Sequence, residues 1–250
     1  MKQSQFYYLL RRGLFSGGSA IIKSGLVMFN KFTTAGLSFP AQGSAEFNGT
    51  SDYIDTGAQI VDLDSDFSVS FWLHTTTTLS DNSSYKRIIS RGDSSGAGKW
   101  YAMMYGISGD EFVFAIDDNS TKTQFTTSLS LSPNTWYFVT NVVDRNNKAY
   151  IYVNGSLVTE GNDNTTGTAE NNDDFVFSTG LNNGVFDNFG THNLANVAIW
   201  NRALSSDEIN SVMWKPYQAL NATESNGLQA WYSLDDIASP TASLATMEQL

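Results

Sequence analysis

The amino-acid sequence predicts an all-β fold: a two-sheet antiparallel jelly-roll sandwich with one short C-terminal helix and an extended N-terminal arm. Short segments alternate apolar and polar side chains with a period of two, which is the pattern of a half-buried strand. Clusters of Gly, Asn, Asp and Ser separate these segments, and no helical periodicity lies between them. The chain has 250 residues, 41% of them hydrophobic, which is enough for one β domain with a buried core.

The clearest strand pattern lies in residues 66–74, DFSVSFWLH. Every second residue of this segment is apolar and shares one face: Phe67, Val69, Phe71 and Leu73. Asn154-Gly155 predicts a tight reversal, because this dipeptide readily adopts the positive φ angles of a two-residue hairpin turn. The other segments with a strand pattern are residues 111–117, 136–144, 149–155, 175–180 and 196–201.

One helix is predicted near the C-terminus. Ser205 and Glu208 in LSSDEINSVMW have the spacing of a capping box, and Pro216 ends the pattern soon afterwards. The apolar residues that recur on one face of this helix are Ile209, Val212 and Met213. A last short strand, GLQAWYSLD, and a polar tail follow.

Five motifs in this order resemble the laminin-G-like, concanavalin A-like lectin superfamily, in particular its pentraxin-related bacterial and phage branch. They run from about Ala45 to Met213: AEFNGTSDYIDTG, DFSVSFWLH, IISRGD, WYFVTNVVDRNNKAYIYVNGSLV and NVAIWNRALSSDEI. The resemblance implies a concanavalin A-like sandwich over residues 45–217, between a basic arm at 1–44 and a C-terminal strand and tail at 218–250. Members of the family often place a strand like GLQAWYSLD before the opening motif, so we expect it to fill that sheet position from the other end of the chain.

No catalytic constellation is evident in the sequence. Glycosidases of this fold carry two carboxylates on one strand as Glu-x-Asp-x-Glu or Glu-x-Asp-x-x-Glu, and neither spacing occurs here. Adjacent acids such as Asp117-Asp118 are expected to be solvated turn residues. His74 is predicted to pack at a strand end and His192 to lie in a polar loop. With no cysteine available as a nucleophile or thiolate ligand, we expect a protein that is not an enzyme.

The resemblance also implies a calcium ion, held where the opening turn meets the strand before the helix. Its ligands here would be Asn48, Asp52 and Asn196. The family usually has Asp at two of these positions, so the lower ligand charge predicts weaker binding. The alternative is that Asn48 and Asp52 only shape a turn.

Glycan binding is the usual expectation for this family. It requires aromatic faces for the C–H surfaces of a sugar and nearby polar groups for its hydroxyls. The aromatic candidates are Tyr85, Trp100, Tyr101 and Tyr105.

The charge of the chain is divided unevenly. Residues 1–45 hold five basic and no acidic residues, a charge of +5, whereas the remainder holds nine basic and 25 acidic residues, a charge of −16. A basic arm on an acidic body predicts docking onto an acidic partner, although five solvated cations would give the same composition. The predicted anchoring residues are Lys2, Phe6, Tyr7, Tyr8, Arg11, Arg12, Lys23 and Lys31.

The sequence therefore predicts a virion structural protein, a phage capsid decoration or a tail- or fibre-associated protein. Its arm would bind other virion proteins, and its sandwich, present in many copies, would hold host-surface glycans. Basic residues interrupt the apolar N-terminal segment, so we expect no signal peptide, and no run reaches the roughly 20 apolar residues of a membrane helix. The alternative is a secreted or cell-surface carbohydrate-binding lectin or adhesin module.

Overall fold

The structure, a computed structural model, describes residues 43–78, 84–95, 98–106, 111–127, 129, 131–145 and 147–235, with three short strands beyond them. The chain forms two units, Met1–Ser38 and Phe39–Leu250. In the first unit, β1 (Phe32–Thr33) and β2 (Gly36–Leu37) pair in antiparallel register. The predicted anchoring residues, from Lys2 to Lys31, lie outside the described residues, and the arm stays a prediction.

The second unit contains a larger sheet of eight strands. Its spatial order is β12 (Ser156–Asn162), β11 (Lys148–Val153), β10 (Thr135–Asp144), β5 (Phe67–Thr75), β16 (Thr191–Trp200), β3 (Ala45–Asn48) and β18 (Ile237–Ala238), and β17 (Leu228–Tyr232) also pairs with β16. Strand β17 is the predicted GLQAWYSLD segment. It pairs with β16 and so adds a strand to this sheet from the C-terminal part of the chain, and the predicted correspondence with the family's first strand stays a prediction.

The smaller sheet has six strands. Its order is β4 (Ile54–Asp55), β13 (Phe175–Phe177), β6 (Lys86–Gly92), β7 (Trp100–Tyr105), β8 (Phe112–Asp117) and β9 (Lys122–Thr126). A separate hairpin, β14 (Gly180–Asn182) with β15 (Val185–Asp187), follows β13. The predicted strand at residues 175–180 ends early, at Phe177, because Ser178 adopts a φ angle of 66° that breaks the extended backbone.

The main core lies between the two sheets. The predicted inner face of β5 is confirmed, because Phe67, Val69, Phe71 and Leu73 are all buried there. The Tyr101 ring of β7 meets the Phe67 ring edge-on with centroids 5.1 Å apart, and its hydroxyl donates to Asn141 Oδ1 of β10 at 3.0 Å. Contacts of this kind join the sheets across a core of aliphatic and aromatic side chains.

The helix α1 (Ser206–Val212) covers the opposite face of the larger sheet. Its capping box is present as predicted: the Ser205 hydroxyl accepts from the Glu208 N–H, and the Glu208 carboxylate accepts from the Ser205 N–H. The Trp72 indole donates to the Met213 carbonyl at 3.2 Å, which fixes the end of the helix on β5. Among the described residues, no helix is long and apolar enough to span a membrane.

Candidate functional site

The outer face of the smaller sheet carries the candidate site. Along β7, Trp100, Ala102 and Met104 point outward, whereas the residues between them point into the core. Trp100 lies in a row of paired residues that crosses four strands: Gly92 on β6, Trp100 on β7, Asp117 on β8 and Lys122 on β9. Because paired residues share a face, Asp117 lies next to Trp100 on the sheet, and Lys122 lies on the same face two strands from Trp100.

A cleft of about 210 Å³ lies at this end of the sheet, and we call it the Trp100 cleft. Its described lining consists of one tryptophan and otherwise small or polar residues: Ser94, Ser95, Gly98, Trp100, Asp117, Asn119, Ser120 and Lys122. Trp100 is 8% exposed, so it forms a wall of the cleft rather than a projecting side chain. Hydroxyl, amide, carboxylate and ammonium groups are thus gathered around one aromatic residue.

Buried hydrogen bonds hold one wall of the cleft. Asp118 follows β8 and is only 5% exposed. Its two oxygens accept from the N–H groups of Ser120, Thr121, Thr166 and Gly167, at 2.6 to 2.8 Å. Burial by itself would raise the pKa of Asp118, but these four hydrogen bonds outweigh burial and lower the pKa to about 2.

The prediction that Asp118 is a solvated turn residue is therefore wrong. The sequence showed an acidic pair beside Asn and Ser, which is also the composition of an exposed turn. The distant donors at residues 166 and 167 come from another loop, so only the folded chain brings them to Asp118.

The four predicted glycan contacts divide between the two faces of the smaller sheet. Tyr85 and Trp100 belong to the outer face. Tyr101 and Tyr105 belong to the core, where their hydroxyls bond Asn141 and Thr191, so these two predictions are wrong. The reason is the period of two: Tyr101 follows Trp100 directly, and adjacent residues of a strand face opposite ways.

The predicted calcium ligands are not brought together. Asn48 and Asp52 form a turn, in which Asn48 Nδ2 donates to Asp52 Oδ1 at 2.8 Å. Asn48 pairs with Thr191 of β16, and Asn196 lies five residues further along that strand. At the usual rise per residue of a strand, Asn196 is therefore roughly 16 Å from the residue that pairs with Asn48. Asn48 and Asp52 do shape this turn, since the Asp52 N–H also donates to Asn48 Oδ1 at 3.2 Å.

These three residues do not fit one calcium ion. Within the described part of the chain, no group of three or more His, Asp or Glu side chains is arranged to hold a metal. Whether the protein binds calcium stays a prediction of the family resemblance.

The histidines differ in their surroundings. His74 lies near the end of β5, as predicted, with its ring 5.2 Å from that of Trp136. His192 lies within β16 and is 2% exposed, so its predicted place in a polar loop is wrong. Its Nδ1 is 3.2 Å from the Tyr105 hydroxyl, and burial lowers its pKa to about 3.

A larger hollow, of about 500 Å³, is lined by residues 59–62, Asp64, Thr168 and Glu170. Its acidic groups are already engaged. Glu170 pairs with Arg91, and Asp64 accepts from the Ala169 N–H at 2.7 Å. Because its described lining has no aromatic residue, this hollow fits a saccharide less well than the Trp100 cleft does.

The chain belongs to the concanavalin A-like lectin/glucanase superfamily. The family model Laminin_G_3, described by that name, matches residues 48–210, which is more than half of the sequence. Comparison with curated proteins gave no match.

Several solved structures are similar to this chain. A protein from Bacteroides ovatus ATCC 8483, named as a carbohydrate binding protein, aligns with a TM-score of 0.59 and 19% identity over 80% of this chain and 54% of its own. The binding domain of Paraclostridial Mosquitocidal Protein 1 has a TM-score of 0.48 and 21% identity, over 60% of this chain and 37% of its own. The receptor binding domain of botulinum neurotoxin D has a TM-score of 0.48 and 20% identity, over 61% and 37%. This chain thus spans about half or less of each of these structures.

Proposed function

We propose that this protein is a carbohydrate-binding module that holds a saccharide in the Trp100 cleft. The observation that carries the proposal is the position of Trp100, buried at one edge of a polar cleft on the outer face of the smaller sheet. An aromatic ring offers a surface to sugar C–H groups, while the surrounding hydroxyl, amide and carboxylate groups can bond sugar hydroxyls. The lectin-like fold and the Bacteroides ovatus structure support this assignment.

We propose further that the module binds its saccharide without cleaving it. A glycosidase places two carboxylates across the scissile bond, about 5 Å apart or somewhat more. Asp117 is the one carboxylate in the described lining of the cleft. Its Oδ1 accepts from the Asn119 N–H at 2.8 Å, which suits a structural and hydroxyl-binding role.

Affinity electrophoresis through gels that contain soluble polysaccharides, followed by calorimetry with the oligosaccharides that bind, tests this function. Trp100→Ala should weaken binding by about tenfold or more, because it removes the aromatic anchor of the site. Tyr217→Ala removes an exposed aromatic residue elsewhere and is the matched control. Equal binding by wild type and Trp100→Ala would contradict the proposed site, and retention by no polysaccharide would contradict the function.

A second proposal concerns location: the protein is a virion component that displays this module to host glycans. The +5 charge of residues 1–45 against the −16 charge of the remainder favours it. Many displayed copies would turn weak single-site binding into firm attachment. An exported lectin is the alternative location.

Cosedimentation with assembled phage particles tests the virion proposal. The double variant Arg11→Glu and Arg12→Glu should lose association with particles, because it reverses charge in the arm. Lys148→Gln and Lys215→Gln together change the net charge of the other unit and serve as the control. Particle association that survives the Arg11 and Arg12 reversal would refute anchoring by the arm.

A further inference from the structure

Four basic residues of the smaller sheet have no ion-pair partner among the described residues. The described chain after residue 45 has nine basic residues, and five of them form ion pairs: Arg91, Arg145, Lys148, Arg202 and Lys215. The other four are Lys86 and Arg87 on β6, Lys99 just before β7, and Lys122 on β9. In a body with 25 acidic residues, the unpaired cations are therefore gathered on the sheet that bears the Trp100 cleft.

Arg87 is the most unusual of the four. It is 5% exposed, and its Cζ lies 4.9 Å from the centroid of the Trp100 ring. Its Nε and Nη1 are buried, and no group of the described residues forms a hydrogen bond with either nitrogen. The hairpin of β14 and β15 covers the stem of the side chain, since a Cβ added at Gly180 would approach Arg87 Nε to 2.9 Å.

The nearby carboxylates do not bond the Arg87 guanidinium. Desolvation lowers the pKa of Arg87 to about 10, and the charges of Asp187 and Asp93 offset only part of this effect. Both carboxylates are bonded elsewhere. The donors to Asp187 are the side chains of Asn182 and Asn188, and the donors to Asp93 are the N–H groups of Ser95, Asn183 and Gly184.

A buried cation without a hydrogen-bonded counter-charge is unfavourable, because it has lost its water and gained no equivalent interaction. The same group is a strong receptor for an anion, since charge-assisted hydrogen bonds gain strength where water is excluded. Arg87 lies against the Trp100 ring but is not among the residues that line the cleft, whereas Lys122 lines it, two strands from Trp100 in the row that contains Asp117. One cation therefore lines the cleft, and a second lies behind its aromatic wall.

We propose that the saccharide of the Trp100 cleft is acidic: Lys122 contacts its carboxylate or sulfate group, and the charge of Arg87, behind the Trp100 ring, attracts the same group. This inference rests on the proposed function and adds the chemical class of the ligand. Asp117 also lines the cleft and accepts from a sugar hydroxyl, while the anionic group lies toward Lys122 and the Trp100 ring. The unpaired cations of this sheet thereby allow it to bind an anion, although the protein as a whole is acidic.

The experiment compares each acidic saccharide with an uncharged counterpart of the same linkage. One pair is a galacturonate tetrasaccharide and its methyl ester, and the other is a heparin tetrasaccharide and its desulfated, carboxyl-reduced form. Calorimetry with the full chain at about 0.15 M and about 1 M salt gives the affinity ratio of each pair, and screening at the higher salt should reduce it. A preference within the galacturonate pair identifies a carboxylate as the recognised group, whereas a preference within the heparin pair identifies an acidic group of either kind.

Wild type should prefer the acidic member of at least one pair by about tenfold or more, the effect of one charge-assisted contact. Arg87→Met and Lys122→Gln should each reduce this preference, whereas Lys148→Gln, on the larger sheet, should leave it unchanged. Arg87→Met should also melt at the same or a higher temperature than wild type, because it removes an unpaired buried charge and keeps the apolar stem.

Equal affinity for the acidic and neutral members would overturn the acidic ligand and leave the proposed function standing. A preference that survives both Arg87→Met and Lys122→Gln would overturn the role of these cations. A lower melting temperature for Arg87→Met, with an unchanged preference in Lys122→Gln, would likewise overturn the proposal, because Arg87 would then be structural. Binding of neither member of either pair, nor of any neutral saccharide, would instead remove the proposed function.

Discussion

The buried imidazole of His192 should make the protein lose stability between pH 7 and pH 5. His192 packs beside the Phe47 ring with ring centroids 5.3 Å apart, and its buried Nε2 has no hydrogen-bond partner among the described residues. Desolvation lowers its pKa to about 3, so the folded protein keeps this imidazole neutral across the physiological range. The unfolded chain exposes the same side chain to water, where its pKa is about 6.5.

The sign and size of the effect follow from proton linkage. Below pH 6.5 the His192 imidazole binds a proton in the unfolded state but stays neutral in the folded state. The free energy of unfolding therefore falls as the pH falls, until the pH reaches the folded-state pKa. Between pH 7 and pH 5, a group with an unfolded pKa near 6.5 that stays neutral in the folded state lowers the free energy of unfolding by about 2 kcal/mol. This value depends on the unfolded pKa and is insensitive to the folded pKa, provided that the latter lies well below 5.

Urea unfolding at pH 7 and pH 5 measures this loss. His192→Gln has no imidazole at this position, so its loss of stability between the two pH values should be smaller than that of wild type by about 2 kcal/mol. Comparing the two losses cancels the contribution of the carboxylates and any pH-independent cost of the substitution. His74→Gln, which removes the other imidazole, is the control, because His74 is not enclosed by the core. This variant should lose as much stability between the two pH values as wild type does. The same loss in His192→Gln as in wild type would refute the assignment of a neutral, buried imidazole.

Two further stability predictions concern the loop and the helix. Asp118→Asn should lower the free energy of unfolding by about 2 kcal/mol at pH 7 and by about half as much at pH 3. The reason is that the lowered pKa of Asp118 stabilises the fold above about pH 4, and this stabilisation is lost toward pH 2. Urea unfolding at both pH values measures the two losses, and equal losses would contradict the prediction. Ser205→Ala should lower the free energy of unfolding by about 1 kcal/mol through loss of the cap on the Glu208 N–H. Ser206→Ala, in the first turn of the helix, is its control, and equal losses in both variants would argue against a role for the cap.

Much of the fold could be predicted because its signals are local. Alternation in β5 identified the buried face, and the spacing of Ser205 and Glu208 identified the helix start. Strand β7 was not predicted, because WYAMMY is buried on both faces and shows no alternation. Strand β16 was predicted to begin at residue 196, since the polar residues around His192 resemble a loop, whereas the structure extends it from Thr191 and interrupts it with a bulge near Asn196.

The candidate site was predictable only in part. Trp100 was among the aromatic candidates, but alternation could not show which side of β7 faces outward, so Tyr101 and Tyr105 were included with it. The sequence does not show that Arg87 lacks a partner, because this property depends on which carboxylates the fold brings near and on the donors that already occupy them. The exclusion of Asn196 from the turn of Asn48 likewise depends on the register of β3 and β16.

The central claim is that a saccharide binds at Trp100, and the indole N–H signals of the six tryptophans test it most directly. Protein labelled with ¹⁵N-tryptophan gives one such signal for each indole, and Trp100→Phe identifies the signal of interest. Titration with a polysaccharide that the wild-type protein retains should shift the Trp100 signal and leave the signal of Trp136, on the other sheet, in place. Shifts confined to Trp136 or to the tryptophans beneath the helix, with Trp100 unmoved at saturation, would contradict the account.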